Sequence, residues 1–258
     1  MNSFKTVCVL FTTIVLWASA FIGIKIGLDG YSPGALALLR FITASLSLAL
    51  IYPHKSIHKD ISLFDKSMLI LAGVAGIGIY HTCLNYGELS VSAGIASFVI
   101  GLMPVITIIL SVIFLRERQK SGVWLGVFIS LTGLALLAMW EGAHENMALG
   151  IILILVSAIT GSILTLVQRV YAKKYHPVAI ITWVIWGGTL SLIPFLPSLI
   201  HEIPMAPAKA TWAGIYMGVF PGALAYLAFG WVLKTLSASK ASVSLYALPI
   251  VSTLLGFI

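Results

Sequence analysis

Ser92-Ala93-Gly94-Ile95-Ala96-Ser97, followed by Pro104, returns later in the chain as Ser237-Ala238-Ser239-Lys240-Ala241-Ser242, followed by Pro249. Nearly the same displacement lays Pro33 on Pro177, Ala35 on Ala179 and Leu46-Ser47-Leu48 on Leu190-Ser191-Leu192. Self-similarity at one long period marks a duplicated structural unit. The copies divide the chain into residues 1–143 and 144–258.

The solvent of this unit follows from composition. Of 258 residues, 60% are hydrophobic and 9% charged, and the mean hydropathy is +1.07. A water-soluble globule needs far more polar surface, so the expected surroundings are a lipid bilayer. The net charge of +7 does not point to nucleic acid, because the basic residues sit in short clusters between apolar runs. Cys8 and Cys83 lie inside apolar stretches and carry no disulfide framework. Lys5, an apolar run and Ala18-Ser19-Ala20 imitate a signal peptide, but apolar character continues to Ile26.

Crossing a hydrocarbon core takes about 20 helical residues. Nine runs meet that length: Thr6–Gly27, Pro33–Tyr52, Ser67–Gly87, Gly94–Leu115, Gly122–Trp140, Ala148–Gln168, Val178–Leu199, Trp212–Leu233 and Ala241–Ile258. They read as helices, because backbone amides in lipid must be satisfied internally and no alternating barrel pattern is present. Lys5, Lys55, Lys59, Lys66, Arg116, Arg118, Lys120, Arg169, Lys173, Lys174, Lys234 and Lys240 fall on one side of this arrangement. The positive-inside rule then places the N-terminus in the cytoplasm, with Glu141 and Glu145 facing outward. Five crossings per copy would insert the second copy upside down, the architecture of secondary transporters. The second copy stops at Ile258 inside an apolar run, so the expected class is an all-α polytopic membrane protein with two inverted five-helix repeats, nine spans present and the tenth missing.

Leu16-Trp17-Ala18-Ser19-Ala20-Phe21, then Pro33 with Leu39-Arg40-Phe41, then Asn85-Tyr86-Gly87 through Ser92-Ala93-Gly94, Pro104 and Arg116-Glu117-Arg118 resemble the drug/metabolite transporter superfamily in its ten-helix EamA-like branch. The second copy repeats the later part from Tyr226 to Pro249. The resemblance covers essentially the whole chain. It implies export of small organic metabolites such as amino acids. It also implies an aromatic where the second copy matches Trp17, and this chain has Gly161 there.

Polar groups at membrane depth are costly and so single out candidate residues. His81, Asn85 and Glu88 are spaced to share one helical face. Such a face could bind a zwitterion, exchange a proton, or simply bond neighbouring helices. Arg40 could attract an anionic group, pair with Glu88, or anchor its helix. Trp17, Trp183 and Tyr246 lie too deep for an interface belt; with Ser19, His81, Asn85 and Tyr226 they form the expected wall of a substrate cavity. Arg40, His81 and Glu88 are the ionisable candidates for coupling to an ion such as a proton. Pro104 and Pro249, at matching places, are candidate hinges. Gly94, Ser97 and Gly101, Gly122, Gly126 and Ser130, and Ser157, Gly161 and Thr165 form small faces suited to close packing.

Enzymatic signatures are missing: there is no His-Glu-x-x-His, Gly-x-Ser-x-Gly, Walker sequence or metal-ligand cluster, and His54 with His58 lacks a third ligand. The expectation is a cofactor-free carrier whose partners are a small-molecule substrate, a coupling ion and the lipid bilayer, in a bacterial inner membrane. A passive pore, or a structural or lipid-handling membrane protein, stands as the alternative.

Overall fold

The computed structural model describes residues 3–52, 61–117, 119, 122–126, 128–129, 132–133 and 147–256. Among them eight helices are long and apolar enough to cross a bilayer. They are α1 (Ser3–Leu28), α2 (Pro33–Ile51), α3 (Leu63–Gly87), α4 (Ala93–Leu115), α5 (Met147–Tyr171), α6 (Pro177–Glu202), α7 (Ala208–Thr235) and α8 (Ala238–Leu255). The span expected over Gly122–Trp140 lies largely outside the described residues; those described at 122–126, 128–129 and 132–133 are helical.

Helix starts follow local chemistry that hydropathy alone misses. Ser62 caps α3 by accepting from Asp65 N, so that helix begins at Leu63 rather than Ser67. Ser92 and Ser237, equivalent in the two copies, cap α4 and α8 the same way, accepting from Ile95 N and Lys240 N. Capping therefore pulls α8 back to Ala238 from the expected Ala241. Pro33 and Pro177 open α2 and α6 at first-turn positions where no amide donor is needed.

Duplication extends to irregularities. A π-helical segment interrupts α3 at Val74–Ile79, and its equivalent interrupts α7 at Gly218–Leu224. Helix α4 breaks after Ile100 and resumes at Met103, and α8 narrows to a 3₁₀ segment at Val243–Ala247 before resuming at Leu248. Pro104 thus stands in the first turn of a new helical segment, where its missing donor removes no intrahelical bond, and Pro249 is the second residue of the segment that follows the 3₁₀ turn.

The copies interleave rather than sitting side by side. The first helix of each copy packs on the third and fourth of the other, α1 on α7 and α8 and α5 on α3 and α4. The second helix of each also meets the third of the other, α2 on α7 and α6 on α3. Both second-to-third crossings need glycine. A Cβ at Gly73 of α3 would collide with backbone of Val184 and Gly188 in α6, and one at Gly218 of α7 with backbone of Arg40 in α2. The fourth helices meet at their breaks, where a Cβ on Gly101 would lie 3.2 Å from Pro249 Cγ and Ser252 Oγ donates to Ser97 Oγ at 2.7 Å.

The helix ends show the same pairing. Lys25, at the end of α1, donates to the carbonyls of Glu88 and Val91 beyond α3. Arg169, near the end of α5, donates to the carbonyl of Leu233 in the last turn of α7 at 2.6 Å. Each cation neutralises terminal carbonyls that have no partner within the helix. Asp29 bonds Lys209 at 2.7 Å, and the equivalent junction reverses the charges, with Asp65 of α3 beside Lys174 at 4.0 Å. Asp65 also accepts from Tyr171 and Tyr175 hydroxyls at 3.1 and 2.6 Å. The bond to that carboxylate raises the pKa of the Tyr175 phenol above its ordinary value.

Candidate functional site

Because the copies interleave, their first, third and fourth helices surround one cavity of about 60 Å³, room for a few waters. Its wall repeats the duplication. Trp17 faces it with its equivalent Gly161, Phe21 with Thr165, Ile24 with Gln168, His81 with Tyr226 and Leu84 with Phe229. Only Arg40 and Tyr80 line it without a lining equivalent.

The π-helical segments set the centre of this site. His81 comes just after the one in α3 and Tyr226 just after the one in α7. Each segment adds a residue to a turn and so re-aims the side chains beyond it. In α7, Pro221 removes a backbone donor inside the segment, and the Pro221 carbonyl accepts from Trp17 Nε1 at 3.2 Å. That bond holds the indole edge-on to Tyr226, ring centroids 5.4 Å apart, and 5.0 Å from Phe229.

His81 Nε2 lies 3.2 Å from Tyr226 Oη, and His81 Nδ1 lies 3.3 Å from Arg40 NH1. Two residues that occupy the same position in successive copies therefore touch each other. Arg40 is 3% exposed, and its Nε has no hydrogen-bond partner among the described residues. Its cation rests against the Phe41 ring, 5.4 Å from the centroid, and the Phe41 ring lies tilted at 46° against His81, centroids 4.6 Å apart. Gln168, also 3% exposed, has a buried Oε1 without a partner among the described residues.

Of the residues singled out from sequence, Trp17, Arg40, His81 and Tyr226 converge on this cavity. The others do not line it. Ser19 shares a hydrogen bond with Tyr216 at 2.9 Å. Asn85 donates to the Pro33 carbonyl at 2.9 Å and ties α3 to the start of α2. Trp183 donates to Tyr52 Oη at 3.2 Å, inside a cluster with Trp186, and Tyr246 sits in the 3₁₀ segment of α8. Glu88 is fully buried, and no hydrogen bond joins its carboxylate to Arg40, whose NH1 is turned to His81 instead. Pro104 and Pro249 lie at the cavity's edge, next in the chain to the lining residues Met103 and Leu248.

Sequence reasoning passed over Tyr80 and Gln168 and read Thr165 only as part of a small packing face. Tyr80 packs where Gly161 leaves room, so its space is provided by the other copy. Gln168 was legible as the polar partner of Ile24 once the copies were aligned, since a buried amide replacing an isoleucine needs a reason.

Comparison with known proteins agrees with this architecture. The EamA-like transporter family model matches residues 4–139 and again 148–258, once for each copy. The chain is 38% identical over 245 residues to the uncharacterized transporter YdfC of Bacillus subtilis, covering 95% of this chain and 80% of YdfC. It is 31% identical over 258 residues to a probable terminal-alkyne amino-acid exporter of Streptantibioticus cattleyicolor, covering 100% of this chain and 86% of the exporter. A solved crystal structure shares the fold at a TM-score of 0.76 and 19% identity, over 98% of this chain and 90% of its own. The chain belongs to the EamA-like transporter family and is an integral membrane transporter for small molecules.

Proposed function

We propose that the protein is a secondary carrier that exports small amphipathic metabolites of the amino-acid class by alternating access around the cavity between its two copies. The observation that carries this reading is the polar centre formed by Arg40, His81 and Tyr226 within walls of Trp17, Phe21 and Phe229, contributed by both copies. A permanently charged guanidinium whose Nε has no partner among the described residues suits a carboxylate. The aromatic walls suit the apolar remainder of a neutral amino acid. The exporter relative is named for amino-acid export, which supports both class and direction.

Residues 1–143 and 144–258 are the two repeats of this carrier, inserted in opposite senses with the N-terminus in a bacterial cytoplasm. Support comes from the equivalent contacts: Lys25 closes the end of α3 as Arg169 closes the end of α7, while their flanking charges, Asp29 with Lys209 and Lys174 with Asp65, are exchanged. Rocking about the His81–Tyr226 contact would open the cavity to one face at a time. The breaks beside Pro104 and Pro249, touching through Gly101, would let α4 and α8 move with it. A proton or other ion gradient drives the cycle.

Counterflow of a neutral amino-acid panel in proteoliposomes tests this reading. Saturable exchange is expected, weakened at least tenfold by Trp17→Ala, which removes an aromatic wall. Flux that rises without saturation identifies a passive pore instead, and no flux for any solute removes the carrier.

A further inference from the structure

Lys25 and Arg169 make the same bond in the two copies, but to residues of opposite character. Lys25 Nζ donates to the main-chain carbonyl of Glu88 and, at 2.6 Å, to that of Val91. Arg169 donates to the main-chain carbonyl of Leu233, the repeat equivalent of Glu88. Leu233 and Glu88 are both 0% exposed. A place that holds an alkyl group at one end of the molecule therefore holds a carboxyl at the other.

Both Glu88 carboxyl oxygens are buried without a hydrogen-bond partner among the described residues. Three charged or titratable groups act on them, Lys25 of α1, Arg40 of α2 and Tyr80 of α3. The two cations are engaged elsewhere, Lys25 with the carbonyls and Arg40 NH1 with His81 Nδ1. Helix α4 has no titratable side chain, and α5, which packs on the end of α3, has none before Arg169 in its last turn. Asn85 Oδ1, one turn earlier on α3, is likewise buried without a partner among the described residues, so donors are scarce here. Glu88 is also the C-terminal cap of α3, where the last carbonyls disfavour a further negative charge. A carboxylate deprived of water and of donors is strongly disfavoured against the neutral acid. Burial pushes the Glu88 carboxyl well above the usual carboxylate range, against the opposing attraction of Lys25 and Arg40. The next residue, Leu89, is 58% exposed, so water begins one residue away.

From this geometry we infer that Glu88 is a proton-binding site, neutral while Lys25 holds α1 against the turn between α3 and α4, and ionised when that end of the cavity opens to water. Closing the end takes one proton from the adjoining water, and opening returns it. The inference rests on the carrier reading only for the motion and for the name of the face, the outer one. The second copy, with Leu233 in the equivalent place, has no such switch at the inner end.

Glutamine copies the neutral acid and cannot ionise, so Glu88→Gln tests the site in purified protein without transport. The sign follows from linkage. A proton held more tightly in the closed, folded state stabilises that state at acid pH, and the benefit is lost as pH rises above the ordinary glutamate value of about 4.3 toward the raised one. Between about pH 5 and about pH 8 the thermal midpoint of Glu88→Gln in detergent should therefore rise relative to the parent's, by about 3 °C per pH unit. Glu88→Leu, which copies Leu233, should diverge from the parent in the same sense and serves where the amide variant does not fold. Infrared difference spectra at neutral pH should show the carbonyl band of a carboxylic acid in the parent and not in Glu88→Gln. In proteoliposomes the apparent KM for external leucine should rise about threefold or more for each unit by which the outer pH alone is lowered, within the tenfold limit set by one proton, and Glu88→Gln should lack that dependence. A parent that gains on Glu88→Gln as pH rises marks an ionised Glu88 held by a cation and overturns the proton site, as does a missing carboxylic-acid band. A KM indifferent to outer pH overturns the tie to opening. Thermal and infrared signatures without any counterflow instead leave the proton site standing and remove the carrier.

Discussion

His81 and Asn85 in α3 and Glu88 just past its end hold the positions that Tyr226, Gly230 and Leu233 hold in α7. The two helices share a π-helical segment, a terminal cation cap and a glycine crossing, yet one carries an imidazole, an amide and a carboxylate where the other carries a phenol, no side chain and an alkyl group. The difference shows which features belong to the scaffold and which to the site. Backbone devices are kept in both copies because each copy must solve the same packing problem. Side chains at the cavity diverge because the two copies face one cavity and need supply only one set of groups. Asn85 illustrates the separation: it anchors Pro33 in the first copy, and in the second Gly230 lies against Ile181 and Pro177, where a Cβ would stand 3.3 Å from Ile181 Cγ1 and 3.7 Å from Pro177 Cβ.

The strongest way to break this division is at the cavity. Arg40→Leu should lower transport efficiency about a hundredfold, the loss of a charge-assisted bond in a buried site, while the thermal midpoint in detergent falls little or rises. An equivalent change in the second copy, Val184→Leu, should leave substrate affinity unchanged, because Val184 packs in the core and does not line the cavity.

Next come the shared crossings. Gly73→Leu and Gly218→Leu each force a side chain into facing backbone and should each cost about 2 kcal/mol or more, seen as similar drops in thermal midpoint. Unequal drops would mean that the crossings are not equivalent. The terminal caps rank below them at about 1 kcal/mol, with Lys25→Met and Arg169→Met matched in size. Gln168→Ile, which copies Ile24 into the second half of the cavity, removes a buried amide oxygen that has no partner among the described residues. It should raise stability by about 1 kcal/mol and weaken only those substrates that carry a donor remote from the carboxylate. Smallest of all, Lys209→Ala at the exposed Asp29 pair should change the midpoint by less than about 0.5 kcal/mol, with the remainder erased by salt.

Much of the architecture was legible because it rests on period and polarity. Hydropathy located all eight described spans, missing their starts where Ser62 and Ser237 cap the helices earlier. The repeat made Pro104 and Pro249 equivalent before any contact was known, but the pairing of His81 with Tyr226 was drawn only once the cavity was in view. The π-helical segments were signalled only weakly, by Gly76 and Gly78 in one copy and Pro221-Gly222 in the other. Among the candidate site residues, Trp183 and Tyr246 were chosen for depth alone, and depth does not distinguish a cavity from a helix–helix contact.

By itself the sequence determined the solvent, the helical class, the duplication and the places where the chain must turn, since these depend on transfer energies and steric limits that act residue by residue. Only the tertiary structure decided that Arg40 turns to His81 rather than Glu88, that Asn85 ties two helices together, and that Gln168 reaches the cavity. A buried polar group takes whichever partner the crossing of helices brings within about 3 Å, and that choice depends on helices far apart in the chain.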